Sequence, residues 1–238
     1  MKDIEKNILK KLTYSNSLKY NEMWNKENPS SKFNYHLKKL IQNQFVTKNE
    51  QGEYTLTQKG IQHISEYNSR KTEKEKLPLT CSFTLCINQK SQVLLQKRKK
   101  KPYQGIINVP GGKTRFGETT EEASIRELYA ESKLKAKKVE LKIIDQIKTF
   151  DEDNKIFAHI IAYWHTCNDY EGKLEKENEE GIMQWYSLDE VQKLNDIFPN
   201  LKEIIPMLCK PSEKIKYLET QRFRNEKKEF IDYNINEK

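Results

Sequence analysis

The chain has 238 residues, 33% of them charged and 35% hydrophobic, which suits two modest soluble domains and excludes a largely apolar, membrane-embedded protein. No apolar run approaches the roughly 18 residues that span a bilayer, and the opening MKDIEKNILKK lacks the continuous apolar stretch of a signal peptide, so no membrane partner and a cytoplasmic location are expected. The net charge of +8 is uneven: residues 1–77 hold 15 Lys and Arg against 9 Asp and Glu, which directs any anionic partner to the first third.

In chain order, Ile4, Ile8, Leu9 and Leu12 recur at helical spacing, and a short second helix is expected around Lys19 to Lys26. Ser30 or Ser31 can cap a third helix to about Gln44, with Phe33, Leu37, Leu40 and Ile41 on its apolar stripe. FVTKNEQGEYTLT reads as a hairpin turning at Gln51-Gly52, and Thr57 to about Tyr67 returns to helix. RKTEKEKLP is charged and ends in proline, so residues 70–78 read as a linker or a frayed helix end. Beyond it LTCSFTLCIN and QVLLQKR change to strand periodicity, and KIFAHIIAYWHT is a long strand candidate. These changes divide the chain into a domain over 1–69, the linker, a domain over 79–210 and a charged tail over 211–238, of which Glu213 to Lys238 reads as a helix with a frayed end. The four cysteines form no CxxC pair, so buried free thiols are expected rather than a zinc knuckle.

KFNYHLKKLIQNQFV followed by GEYTLTQKG resembles the third helix and wing of winged helix-turn-helix regulators of the arsenic-repressor-like type. The resemblance implies a small α+β winged-helix domain whose third helix carries Lys32, Asn34, Tyr35, His36, Lys38 and Lys39 toward double-stranded DNA, with Lys48 on the wing. Asn34 and His36 would meet base edges while the lysines neutralise phosphates, and a homodimer would follow from that architecture.

The stretch VPGGKTRFGETTEEASIRELYAESKL holds the chemistry. Pro110-Gly111-Gly112 can turn tightly after a strand, and Thr119 with Glu122 can form a capping box for a helix. On that helix Glu127 and Glu131 are four residues apart and share a face, an oxygen-donor pair that suits a hard divalent cation, while Leu128 with Ala123 or Ala130 can pack on a sheet. The segment resembles the Nudix signature at seven of its nine fixed places: Gly112, Glu118, Arg126, Glu127, Leu128, Glu131 and Leu134.

The resemblance implies an α/β Nudix fold, a mixed sheet with packed helices, that hydrolyses the diphosphate linkage of a nucleoside diphosphate derivative with Mg²⁺ or Mn²⁺. By position, Glu127 and Glu131 would be metal ligands with the Gly111 carbonyl, Glu118 would stand close by, and Arg126 would hold the glutamates. The acidic loop EKENEE offers Glu179 or Glu180 as a further ligand or general base. The basic run from Lys97 to Lys101 precedes the glycine turn and can approach an anionic substrate, or stand as a solvated loop. Four positions depart from the pattern. Ala130 removes an acid often used as a ligand, Lys133 replaces a helix-ending glycine, Ile107 replaces a tryptophan, and Arg115 replaces an acidic residue. Two functions stay open: a metal-dependent pyrophosphohydrolase, also able to bind DNA, or a transcription regulator whose Nudix domain senses a nucleotide with little or no turnover.

Overall fold

A computed structural model of the chain describes residues 2–24, 26–65, 67–68, 73–74 and 76–238. It comprises two compact units, Met1–Lys76 and Leu77–Lys238. Among the described residues no helix is long and apolar enough to cross a membrane.

The first unit contains α1 (Asp3–Thr13), α2 (Tyr20–Met23), α3 (Ser30–Gln42), the antiparallel pair β1 (Val46–Lys48) and β2 (Tyr54–Leu56), and α4 (Gln58–Ser65). Helical spacing places Ile8, Leu9 and Leu12 of α1 against Phe33, Leu37 and Leu40 of α3, and Val46 and Tyr54 of the hairpin close the same core. Leu18 bridges Tyr54 and so adds a third chain to the hairpin.

Three expectations need correction here. Neither Ser30 nor Ser31 caps α3; Pro29 precedes it in extended conformation, and its carbonyl accepts the Phe33 N–H at 3.1 Å. The helix stops at Gln42 because Gln44 turns left-handed, at φ 61°, and Ile41 lies 36% exposed outside the stripe. The linker expectation falls partly on residues 70–72 and 75, outside the described residues. Around them β3 (Tyr67–Asn68) pairs antiparallel with β4 (Glu73–Lys74), where helix was expected to continue to Tyr67.

The second unit runs β5 (Leu79–Cys86), β6 (Val93–Arg98), β7 (Ile107–Asn108), β8 (Gly111–Lys113), α5 (Thr120–Ser132), β9 (Lys135–Phe150), β10 (Ile156–Glu171), β11 (Gly181–Tyr186), α6 (Leu188–Lys193), α7 (Leu201–Cys209), β12 (Lys216–Arg224) and β13 (Phe230–Glu237). A six-stranded sheet has the order β13-β12-β9-β10-β5-β8, and a three-stranded sheet the order β11-β6-β7. The larger sheet is mixed: β10 runs parallel to β5 and β12 parallel to β9, while the other pairs are antiparallel. Period-two alternation divides β6 between two cores. Val93 and Leu95 join Trp164, Ile143 and the α7 side chains, whereas Leu94 joins Leu128 of α5.

The helical tail expected over 213–238 is corrected to two strands. Inward alternation of Leu218, Thr220, Arg222 and Arg224 docks β12 beside β9, and β13 pairs outside it. Two of the inward polar groups have buried partners: the Thr220 hydroxyl lies 3.0 Å from Asp145 Oδ2, and Arg222 Nε donates to Asn200 Oδ1 at 2.8 Å, while Asp145 Oδ1 and Asn200 Nδ2 have no hydrogen-bond partner among the described residues.

Candidate active site

The glycine turn brings a strand unusually close to its neighbours. β8 pairs Gly111 with Phe83 and Gly112 with Ser82 of β5. A Cβ on Gly111 would lie 2.3 Å from the Ser82 carbonyl oxygen, and one on Gly112 would lie 2.7 Å from the Glu127 carboxyl carbon. Only glycine permits both approaches, and together they seat the turn against α5.

The sequence fixes both ends of α5. The Glu122 N–H donates to the Thr119 hydroxyl at 3.1 Å, and the Thr119 N–H donates to the Glu122 carboxylate at 2.8 Å, as a capping box requires. At the other end Lys133 adopts the left-handed conformation, φ 62°, that glycine would adopt more easily. Ala123, Ser124 and Leu128 are buried, and Ser124 Oγ lies 2.8 Å from Nδ1 of the buried His165 on β10. Ala130 is exposed rather than buried with them, a correction to one of the two packing expectations.

With that face inward, Glu127 and Glu131 stand along the edge that meets the turn. Glu131 is only 5% exposed, and one of its oxygens accepts the Gly111 N–H at 3.0 Å. Burial pushes its pKa up to about 8; the Gly111 bond opposes this, the charges of Glu127 and Glu180 add to it, and Arg98 draws it back. Arg126 holds the other two acids. Its Nε and Nη2 donate to the two Glu118 oxygens at 2.6 and 2.8 Å, and Nη1 donates to Glu127 at 2.5 Å. That fork on Glu118 holds its carboxyl at about 2, far below the usual range.

Glu180 approaches from the acidic loop and forms an ion pair with Lys100. Asn178 sets its position: the side-chain oxygen accepts the Glu180 and Gly181 N–H groups at 2.9 and 3.2 Å, and the side-chain amide donates to the Glu131 carbonyl at 2.7 Å. Sequence reasoning missed Asn178, which no signal within the acidic run singles out. It also missed Arg98 individually, although the basic run contains it. Lys97 and Lys99 of that run are engaged by Asp196 and Glu177, each at 2.5 Å, while Glu179 is exposed.

The structure thus gathers Glu118, Glu127, Glu131, Glu180, Gly111, Gly112 and Arg126 at one loop–helix corner. Among the described residues, however, no three His, Cys, Asp or Glu side chains are close enough together to enclose a metal ion. On α3 of the first unit, Lys32, Asn34, Tyr35, Lys38 and Lys39 are exposed. His36 is not; it is 2% exposed, with Nδ1 2.9 Å from the buried Glu5 carboxylate. The expectation that His36 reads a base edge is therefore corrected, because this side chain pairs with α1 inside the core.

A mixed α/β sandwich whose glycine turn is locked to a carboxylate-edged, box-capped helix has the architecture of a Nudix domain. A family model described as the NUDIX domain matches residues 79–208, and the chain belongs to the Nudix hydrolase family. Residues 3–66 match a second model, described only as a domain of unknown function. The chain is 30% identical over 115 residues to an uncharacterized Nudix hydrolase, YvcI, of Bacillus subtilis, covering 47% of this chain and 68% of that protein. It is also 30% identical over 108 residues to an ADP-ribose pyrophosphatase of Methanocaldococcus jannaschii, covering 45% of this chain and 62% of that one. Among solved structures, a MutT protein from Bacillus halodurans superimposes with a TM-score of 0.55 at 25% identity, covering 66% of this chain and 97% of the other.

Proposed function

We propose that the second unit is a divalent-cation-dependent pyrophosphohydrolase that cleaves the diphosphate linkage of a nucleoside diphosphate derivative. The observation that carries this reading is the lock between the Gly111 N–H and the buried Glu131 carboxyl, with Glu127 and Glu180 near enough to raise its pKa. A buried carboxyl under like-charge pressure suits a hard cation, because the cation relieves that pressure and prefers oxygen donors. Glu127, Glu131 and the Gly111 carbonyl would hold Mg²⁺ or Mn²⁺, which when bound neutralises diphosphate oxygens and activates water.

The chain's own residues perform the positioning. Arg126 fixes Glu127 and Glu118, Asn178 fixes the loop that presents Glu180, and Glu180 is the candidate to accept a proton from the attacking water once Lys100 turns toward the substrate. Similarity to an ADP-ribose pyrophosphatase supports a nucleoside diphosphate derivative as the substrate class. The test is phosphate-bond turnover with Mg²⁺ or Mn²⁺ on ADP-ribose, dinucleotides, nucleotide sugars and nucleoside triphosphates, beside Glu131→Gln. Turnover of one class, lost by at least about a hundredfold in the variant, is expected. An unaltered rate in Glu131→Gln rules out the assigned role.

A second reading concerns the first unit, and the exposed arc of α3 favours it. The order of three helices, hairpin and helix supports reading it as a winged helix-turn-helix domain. Lys32, Asn34, Tyr35, Lys38 and Lys39 share the solvent side of α3, where they can meet duplex DNA as part of a homodimer. A nucleotide-sensing regulator would use both units. Duplex DNA affinity that falls steeply with salt, and falls further in Lys38→Glu, is the expected result; unchanged DNA mobility at low salt removes this reading.

A further inference from the structure

The hairpin β12–β13 lies outside the residues covered by the family match, and it builds a feature that the carboxylate corner does not use. A cleft of about 1340 Å³ opens between the turn of this hairpin, the loop after β6 and the segment between α6 and α7. Its wall is aromatic. Tyr103, Phe157, Phe230 and Tyr233 line it, and the Tyr103 and Phe230 rings rest on the buried Phe198, with centroids 5.0 and 5.2 Å from its own. The Arg224 guanidinium lies 4.8 Å from the Phe157 ring centroid and is anchored by an Nε hydrogen bond to the Lys228 carbonyl at 3.1 Å. Phe157 nevertheless remains 53% exposed, so much of its ring is open to a ligand.

Cations surround that wall. Lys101, Lys202, Lys227 and Lys228 line the cleft, and none of them has an acidic ion-pair partner among the described residues. Of the two acids that also line it, Asp196 is paired with Lys97, whereas Glu229 accepts a hydrogen bond from Asn225 and keeps its charge, so the four lysines outnumber the one carboxylate without an ion pair among the described residues. The exposed part of the Phe157 ring, with Arg224 stacked on it, suits a planar base, and the unpaired lysines nearby suit the phosphate attached to that base.

We propose that this cleft binds the nucleoside monophosphate portion of a nucleotide and forms the subsite for the nucleoside end of the substrate. The inference rests on the hydrolase reading for its link to turnover, and the chain itself supplies the connection. β6 carries Arg98 beside Glu131, Lys100 pairs with Glu180, and the next residue, Lys101, lines the cleft. One loop therefore touches both places. Because the hairpin supplies Arg224, Phe230, Lys227 and Lys228, recognition of the nucleoside monophosphate depends on residues beyond those the family model matches.

The test is calorimetric titration of the full chain, in EDTA, with AMP, with ribose 5-phosphate, which lacks the base, and with adenosine, which lacks the phosphate. AMP should saturate, and each fragment should bind at least about tenfold more weakly. Phe157→Ala, at a half-exposed ring, and Lys227→Glu with Lys228→Glu, at exposed lysines, should each weaken AMP by about tenfold. On whichever diphosphate is turned over, Phe157→Ala should raise KM by a similar factor and leave kcat unchanged. Equal binding of AMP and ribose 5-phosphate, or AMP affinity within about twofold of wild type in Phe157→Ala, overturns the inference. Turnover with an unaltered KM in Phe157→Ala overturns the subsite and leaves the hydrolase standing. AMP binding that depends on Phe157, in a protein that turns over no diphosphate, supports the cleft and removes the hydrolase.

Discussion

Replacing Gly111 by alanine sets a Cβ 2.3 Å from the Ser82 carbonyl oxygen and 2.7 Å from Phe83 Cα. Both neighbours are backbone atoms of β5, so β8 has to retreat by about 1 Å to restore ordinary contact. Overpacking of this kind costs about 1–3 kcal/mol. The retreat also removes the Gly111 N–H from Glu131, a further loss of about 1 kcal/mol. Together these should lower the melting temperature of the second unit by on the order of 10 °C. Gly112→Ala provides the contrast. Its Cβ would meet only the end of the Glu127 side chain, at 2.7 Å, and that end can swing away. Stability should then fall by under about 1 kcal/mol, while the displaced carboxylate lowers turnover by about a hundredfold. Urea denaturation read beside saturating turnover separates the two variants. Equal destabilisation by both, or a Gly111→Ala protein within about 0.5 kcal/mol of wild type, refutes the close-approach argument.

Other predictions concern the buried polar groups. Asp145 is wholly buried, and burial raises its pKa to about 6, against the opposing effects of the Thr220 hydroxyl and the Arg222 charge. A folded carboxyl pKa raised above its unfolded value of 3.8 means that the fold favours the protonated form; this contribution is full below pH 3.8 and is lost as pH rises through about 6. Wild type should therefore lose on the order of 2 kcal/mol relative to Asp145→Asn between pH 4 and pH 7, as read by chemical denaturation at the two values. In the first unit, His36→Ala should destabilise by about 2 kcal/mol, because it removes a buried hydrogen bond to Glu5. At a temperature where both proteins are folded, it should leave DNA affinity unchanged, unlike Lys38→Glu. Asn178→Ala should leave substrate binding intact and lower kcat, since Asn178 positions the loop bearing Glu180; a change confined to KM would contradict this role.

Local chemistry was legible in the sequence where the partners are close together in the chain. Thr119 and Glu122 announce the start of α5, and Glu127 and Glu131 share its edge because four residues make about one turn. The glycine turn and the long β10 were legible for the same reason. His36 was misread because its partner, Glu5, lies on another helix 31 positions away, and a histidine among lysines resembles a solvent-facing group. The strands at the end of the chain were hidden by inward polar residues. β12 alternates correctly, but Thr220, Arg222 and Arg224 occupy places where an apolar signal would be sought. Their partners Asp145 and Asn200 come from elements no local pattern connects to them.

The place of β12 in the sheet also affects how the protein is made. Its residues emerge from the ribosome long after β9, yet in the finished sheet they lie parallel along that strand, from Ile143 to Phe150. Until they arrive, β9 presents a row of unpaired amides and carbonyls, the surface on which neighbouring nascent chains can add. The arrival of β12 therefore ends a window of vulnerability during synthesis. A premature stop after α7 would spare the entire glycine–glutamate corner and still leave a chain prone to aggregate.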